Sequence, residues 1–286
     1  MRFGICILPD LDWRTSRPLW QRAEQMGFDH AWTYDHLVWG GLPDSRWFSC
    51  VPVLTAASMV TSTIGLGAFV VSPNFRHPVA FSREVQTLVD ISDGRFLLGL
   101  GAGGTPDDRL LGQSELTARQ KVDRLQEFSR LLDRTLREDH LDAAGEYYTA
   151  RDMRLVGGSV RDRVPLLMSG NGPRSVRFAA NFGDGWITTG NTTATTTGEW
   201  FAGIARNCEI VDAELANRPD GATFARYLSI DSGPAQSLES IGMFDELTGR
   251  AAELGFTDVI MHWPRSTPPH VASEAVLDEV AASRLS

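Results

Sequence analysis

The sequence predicts an α/β fold, a closed (β/α)8 TIM barrel, and three observations carry that expectation. Short apolar runs alternate with longer helical patterns along the chain, as repeated strand-helix units of a parallel sheet do. Eight runs and eight helical patterns can be counted. No G-x-G-x-x-G opens a helix after the first run, as an open, doubly wound dinucleotide-binding sheet would require. That open sheet is the competing architecture. The 286 residues are expected to form one domain, since such barrels reach about 250 residues as a unit.

The elements follow in order. Phe3 to Leu8 is a short apolar run stopped by Pro9-Asp10, hence a first strand. Arg17 to Met26 reads as a helix with Ser16 as N-cap, Pro18 in its first turn and Gly27 as its stop. Phe28 to Tyr34 is a second strand ending at Asp35-His36; a loop rich in Trp, Gly and Pro then leads to a helix over 48–60. Ile64 to Val71 is the third strand, Pro78 to Ile91 a helix, and Asp93-Gly94 the turn into a fourth strand, Arg95 to Leu100. A glycine-rich stretch from Gly101 precedes a long helix over 117–136, whose apolar residues Val122, Leu125, Phe128, Leu131 and Leu132 keep helical spacing. Residues 141–163 break the rhythm and read as an excursion, a small hairpin. Strands 165–168, 185–189, 224–230 and 256–262 then alternate with helices 173–182, 199–215, 240–254 and 271–284.

Composition narrows the function. A net charge of -9 argues against a nucleic-acid partner, because little would neutralise phosphates in quantity. Three widely spaced cysteines fit neither a disulfide framework nor a zinc site, and no histidine has a partner at metal-ligand spacing. The run after Met1 is too short for a signal peptide, and no 18-residue apolar stretch occurs, so a cytoplasmic protein without membrane contact is expected. The chain has 26 arginines and a single lysine, Lys121, which leaves Schiff-base chemistry nowhere else to reside. A Ser-His-Asp hydrolase lacks its G-x-S-x-G elbow.

In a barrel of this kind, chemistry sits at the C-terminal ends of the strands. The second strand ends in Asp35-His36, where the imidazole either transfers a proton, with the carboxylate fixing its tautomer, or caps the strand through backbone bonds. Trp39 is either a lid on the core or a ring stacked on a ligand. The fourth strand ends in Gly101, Gly103 and Gly104, which permit positive φ and close approach of backbone N–H groups to a ligand. The run Ser169-Gly170-Asn171-Gly172-Pro173-Arg174-Ser175 opens a helix whose free N–H donors, arginine fork and hydroxyl suit a phosphate. A plain capped helix with a solvated arginine is the alternative. His262 closes the last strand and is placed to reach the same rim.

Together these residues resemble the luciferase-like monooxygenase superfamily, in particular its oxidoreductases dependent on the deazaflavin coenzyme F420. The resemblance runs through Ala31-Trp32-Thr33-Tyr34-Asp35-His36, Ile64 to Val71 with Arg76-His77-Pro78, and Leu88 to Phe96. It continues through Leu98 to Gly103, Gly170-Asn171-Gly172-Pro173 and Gly183-Asp184-Gly185-Trp186. It implies a barrel whose mouth holds a flavin-type ring, with His36 catalytic and Asp35 beside the ring. It also implies a non-prolyl cis peptide behind the ring at Phe69-Val70, contacts from Ser72, Ala102 and Gly103, and a phosphate held by Asn171, Gly172, Arg174 and Ser175. A homodimer acting on a small-molecule substrate is implied as well. Two departures stand out. Sugar-phosphate dehydrogenases of the family carry a catalytic glutamate where this chain has Gly104, and Asp107, three residues on, is not assigned that role. Their tryptophan after Asp-His is also spaced one residue further than Trp39. The expected function is hydride transfer between F420 and a small organic substrate, the alternative an FMN-dependent monooxygenase using reduced FMN and oxygen. A barrel that binds such a ring without turnover is the third possibility.

Overall fold

Eight parallel strands close on themselves in the computed structural model, which describes residues 1–155, 157–216, 218–219 and 221–285. The barrel strands are β1 (Arg2–Cys6), β2 (His30–Thr33), β3 (Gly65–Val71) and β4 (Phe96–Leu100). An antiparallel hairpin, β5 (Leu141–Ala144) and β6 (Thr149–Met153), stands outside the barrel, as the broken rhythm of residues 141–163 predicts. Then come β7 (Leu166–Ser169), β8 (Gly185–Thr188), β9 (Ala225–Ser229) and β10 (Asp258–His262), and β10 pairs with β1 to close the ring. The open sheet is thereby excluded.

The helices are α1 (Trp13–Gln25), α2 (Cys50–Ser58), α3 (Pro78–Ile91), α4 (Thr105–Leu110), α5 (Ala118–Thr135), α6 (Pro173–Phe182), α7 (Thr197–Leu215), α8 (Ile241–Glu253) and α9 (Glu274–Arg284). Helices α2 and α9 are shorter than the expected 48–60 and 271–284, and two larger differences stand out. Helix α1 starts four residues before Arg17, because Asp12 rather than Ser16 caps it by accepting from the Thr15 N–H at 3.2 Å. Pro18 therefore lies inside the helix, not in its first turn. Helix α4 is a short element that the periodicity did not announce. Among the described residues no helix is long and apolar enough to cross a membrane.

Two apolar regions divide the interior. The larger fills the space between barrel and helices, while Cys6, Trp32, Leu167, Ile187, Tyr227 and Ile260 belong to a separate cluster inside the barrel. Trp32 fits there because both neighbouring strands carry glycine. A Cβ on Gly67 would fall 2.0 Å from the Trp32 ring, and one on Gly4 2.0 Å from His30 Nδ1. At the N-terminal end of the barrel, His30 Nε2 lies 2.9 Å from Asp258 Oδ1, and Trp32 Nε1 donates to His30 Nδ1 at 2.6 Å. Asp258 also pairs with Arg2 and accepts from Thr257. This buried, fully partnered network seals the floor and positions the mouth above it.

Candidate active site

Strand β2 delivers Tyr34, Asp35 and His36 to the mouth, and the three part company there. Asp35 is buried and turns toward the end of β3, accepting from the Ser72 N–H at 3.2 Å and from Arg76 at 2.8 Å. Burial pushes its carboxyl above the usual range, opposed by the Arg76 guanidinium. The carboxylate that holds His36 is not Asp35 but Asp107, a correction to the sequence reading. Asp107 Oδ2 lies 2.9 Å from His36 Nδ1, and Asp107 Oδ1 accepts from the N–H groups of Leu37 at 2.7 Å and Val38 at 3.3 Å. With the carboxylate accepting, Nδ1 carries the hydrogen and Nε2 presents a lone pair. Among the described residues no hydrogen bond engages Nε2, and the imidazole is 24% exposed while Asp107 is sealed. The sequence does not point to Asp107, because nothing local in it shows that α4 lays this residue against the end of β2.

The wall on the β3 and β4 side carries the next expected residues. The Phe69–Val70 peptide is cis, and the pairing of β3 with β4 shifts register between Ala68 and Val71. Ser72 Oγ accepts from the Asn74 N–H at 3.1 Å and so closes the turn after β3. Gly103 has φ +82°, and a Cβ there would fall 2.0 Å from Asn74 Oδ1, so glycine is required where the two loops cross. Ala102 precedes it, half-buried, on the same loop.

The opposite wall is aromatic. The Tyr34 hydroxyl lies 2.8 Å from His262 Nε2, and His270 stacks on His262 with ring centroids 3.6 Å apart. Trp39 packs edge-on against Tyr34 at 5.1 Å and parallel to His270 at 6.3 Å, so in this structure it covers the core. His262, expected to reach the rim, is buried behind Tyr34. Burial raises the Tyr34 hydroxyl well above its ordinary pKa, and burial together with the neighbouring His262 lowers His270 to about 3. Trp47, beside Trp39, keeps its indole Nε1 buried without a hydrogen-bond partner.

The phosphate candidates lie at the start of α6. Gly172 is its N-cap, Pro173 its first residue, and the space beside Gly172 is open to 4 Å. Ser175 Oγ donates to the Gly172 carbonyl at 3.0 Å. Arg174 pairs with Asp123 and, with Ala118, Arg119 and Val122, lines a surface cavity of about 570 Å³. The Asn171 side chain is committed elsewhere: it donates to Thr189 Oγ1 at 2.7 Å and accepts from Thr188 Oγ1 at 2.7 Å, fastening the end of β7 to β8. No group of three or more potential metal ligands is found among the described residues.

Comparison with known proteins bears on what such a mouth does. Residues 1–219 match the family described as luciferase-like monooxygenase. The chain is 27% identical over 285 residues to the F420-dependent glucose-6-phosphate dehydrogenase of Kineococcus radiotolerans, covering 91% of this chain and 82% of that one. It is 31% identical over 171 residues to the F420-dependent hydroxymycolic acid dehydrogenase of Mycobacterium tuberculosis, covering 58% of this chain and only 46% of that protein's length. The coenzyme F420-dependent tetrahydromethanopterin reductase of Methanopyrus kandleri superposes with a TM-score of 0.74 at 19% identity, covering 98% of this chain and 97% of that one; this likeness concerns the fold.

Proposed function

The chain belongs to the luciferase-like monooxygenase family, and from that premise we propose that it is an F420-dependent oxidoreductase moving hydride between the deazaflavin and a small organic substrate. The observation that carries the reading is the His36–Asp107 pair: a partly exposed imidazole at a strand's C-terminal edge, its Nδ1 fixed by a sealed carboxylate and its Nε2 without a hydrogen bond among the described residues. The residues fit the coenzyme. The first turn of α6 offers N–H donors beside the open space at Gly172, and Arg174, in that turn, lines a surface cavity together with Arg119, as a phosphate needs. On our reading Arg174 shares its fork between Asp123 and that phosphate, Gly172 and Ser175 contribute through the helix start, and Asn171 contributes only main-chain atoms. The Phe69–Val70 bulge, Ser72, Ala102 and Gly103 form the ring's back wall, and Asp35 acts on the ring side by holding Ser72 and Arg76.

When bound, F420 supplies or accepts the hydride at its ring. The protein's part is alignment and proton handling. His36 Nε2 takes the proton that accompanies substrate oxidation, or returns it in reduction, while Asp107 accepts from Nδ1 and stabilises the imidazolium that forms. Trp39 and Trp47 exclude water from the mouth once the ligands are in place.

Three free, buried cysteines support a reducing, cytoplasmic setting, and the family resemblance supports a single-domain protomer in a homodimer. Reduced FMN with oxygen is the competing cofactor chemistry. Titrating the purified protein separately with reduced F420 and reduced FMN decides between them: tighter F420 binding supports this reading. Preferential FMN binding with substrate-dependent oxygen uptake replaces it with a monooxygenase.

A further inference from the structure

Helix α4 is built inside out. Its carboxylates Asp107 and Asp108 are fully buried, whereas Leu110 is 62% exposed and its C-cap, Leu111, 44% exposed. Its N-cap is Gly104, which supplies no side-chain cap bond. Six residues are too few for a helix to stand alone, and neither leucine at its end is buried. The buried contacts of α4 are made by its two carboxylates. Asp107 reaches one way, to His36 and the N–H groups of Leu37 and Val38.

Asp108 reaches the other way, toward α5. Its oxygens lie 3.5 Å from Lys121 Nζ and 3.6 Å from Arg124 Nη2. Arg124 also donates to Asn74 Oδ1, and Asn74 Nδ2 donates to the Gly104 carbonyl at 2.6 Å, so the same cluster ties down the residue that opens α4. A buried carboxylate is costly without a cation beside it. Among the described residues neither Asp108 oxygen receives a hydrogen bond, so the two ion pairs are what offset its burial, one of them with the only lysine in a chain that otherwise uses arginine. The Lys121 side chain is only 13% exposed, and its compact ammonium sits alongside the wider fork of Arg124.

We propose that Lys121 is a positioning residue for the proton carrier: together with Arg124 it anchors Asp108, and by holding α4 it keeps Asp107 on His36 Nδ1. The proposal rests on the reading of His36 as that carrier, but its first test needs neither coenzyme nor substrate. In the free protein, nitrogen-15 NMR of the histidine rings reports the His36 tautomer, which the Asp107 contact sets to Nδ1–H. In Lys121→Met the signal should shift toward a mixture rich in Nε2–H, the form a free imidazole prefers, and hydrogen exchange over residues 105–110 should speed up. Turnover should fall roughly tenfold, the size typical of losing a supporting contact behind a reactive group, with F420 affinity unchanged. Lys121→Arg should restore tautomer and turnover together. If Lys121→Met does not fold, Lys121→Gln carries the same measurement. A folded Lys121→Met or Lys121→Gln protein with the native His36 tautomer and native exchange overturns the proposal. Full turnover in His36→Ala would instead overturn the functional reading and leave the tautomer result standing.

Discussion

Two of the barrel's histidine–aspartate pairs have the same length, 2.9 Å, one at the floor and one at the mouth. At the floor, His30 spends both nitrogens: Nε2 meets Asp258 and Nδ1 accepts from Trp32. At the mouth, His36 spends only Nδ1, and among the described residues no hydrogen bond engages the second nitrogen. The pair itself is the same device in both places. What separates the two histidines is whether the second nitrogen already has a partner, and on the proposed function that is what leaves His36 able to carry a proton. The floor pair lies at the strands' N-terminal ends and the mouth pair beyond their C-terminal ends, the division between stability and chemistry seen across such barrels.

Mutation should split the two pairs cleanly. The largest effect is expected for His36→Ala, which should lower turnover about 10²- to 10⁴-fold while leaving F420 affinity and the urea midpoint near native values; steady-state rates and urea melts measure both. His30→Ala should do the reverse. Removing one partner of a buried pair costs about 3–5 kcal/mol, visible as a lower urea midpoint, while the folded fraction keeps its activity. Equal loss of stability in the two variants would erase the distinction drawn here. Gly4→Ala tests the floor from the other side. Its Cβ would fall 2.0 Å from His30 Nδ1, and overpacking of this kind costs about 1–3 kcal/mol, readable by calorimetry.

Acid sharpens the contrast with a smaller effect. Burial would raise the Asp258 carboxyl, but hydrogen bonds from His30, Thr257 and Arg2 outweigh it and hold its pKa below the ordinary 3.8. A carboxyl depressed by folding adds stability above its unfolded pKa, and that stability disappears as pH falls through the folded value. Wild-type stability should therefore drop more steeply below about pH 4 than that of Asp258→Asn, with the two acid-unfolding curves converging at the lowest pH. Parallel curves would show that the floor network contributes nothing through its charge.

Legibility differed from element to element. The bounds of α3 and α6 match the sequence reading because each begins with a proline at its first position after a capping residue, and such signals are local. Helix α1 starts earlier than its sequence suggests: Ser16 and Pro18 resemble a cap and first turn, but Asp12 holds the cap. Helix α4 gave no periodic signal, being six residues long with its burial inverted. The same holds in the mouth. His36 was legible from its place at a strand end, and the cis bond at Phe69–Val70 from the resemblance. The partner of His36 was not, and the adjacent Asp35 was a natural but mistaken choice.

The sequence by itself determined the alternation of strands and helices, the hairpin outside it, and the strand ends where reactive groups collect, because spacing and capping act over a few residues. Only the tertiary structure decided which carboxylate serves which histidine. His30 meets Asp258 across 228 positions and His36 meets Asp107 across 71, and barrel closure together with the buried anchoring of α4 brings those residues within reach. Pairing over such separations depends on packing, and no local pattern encodes it.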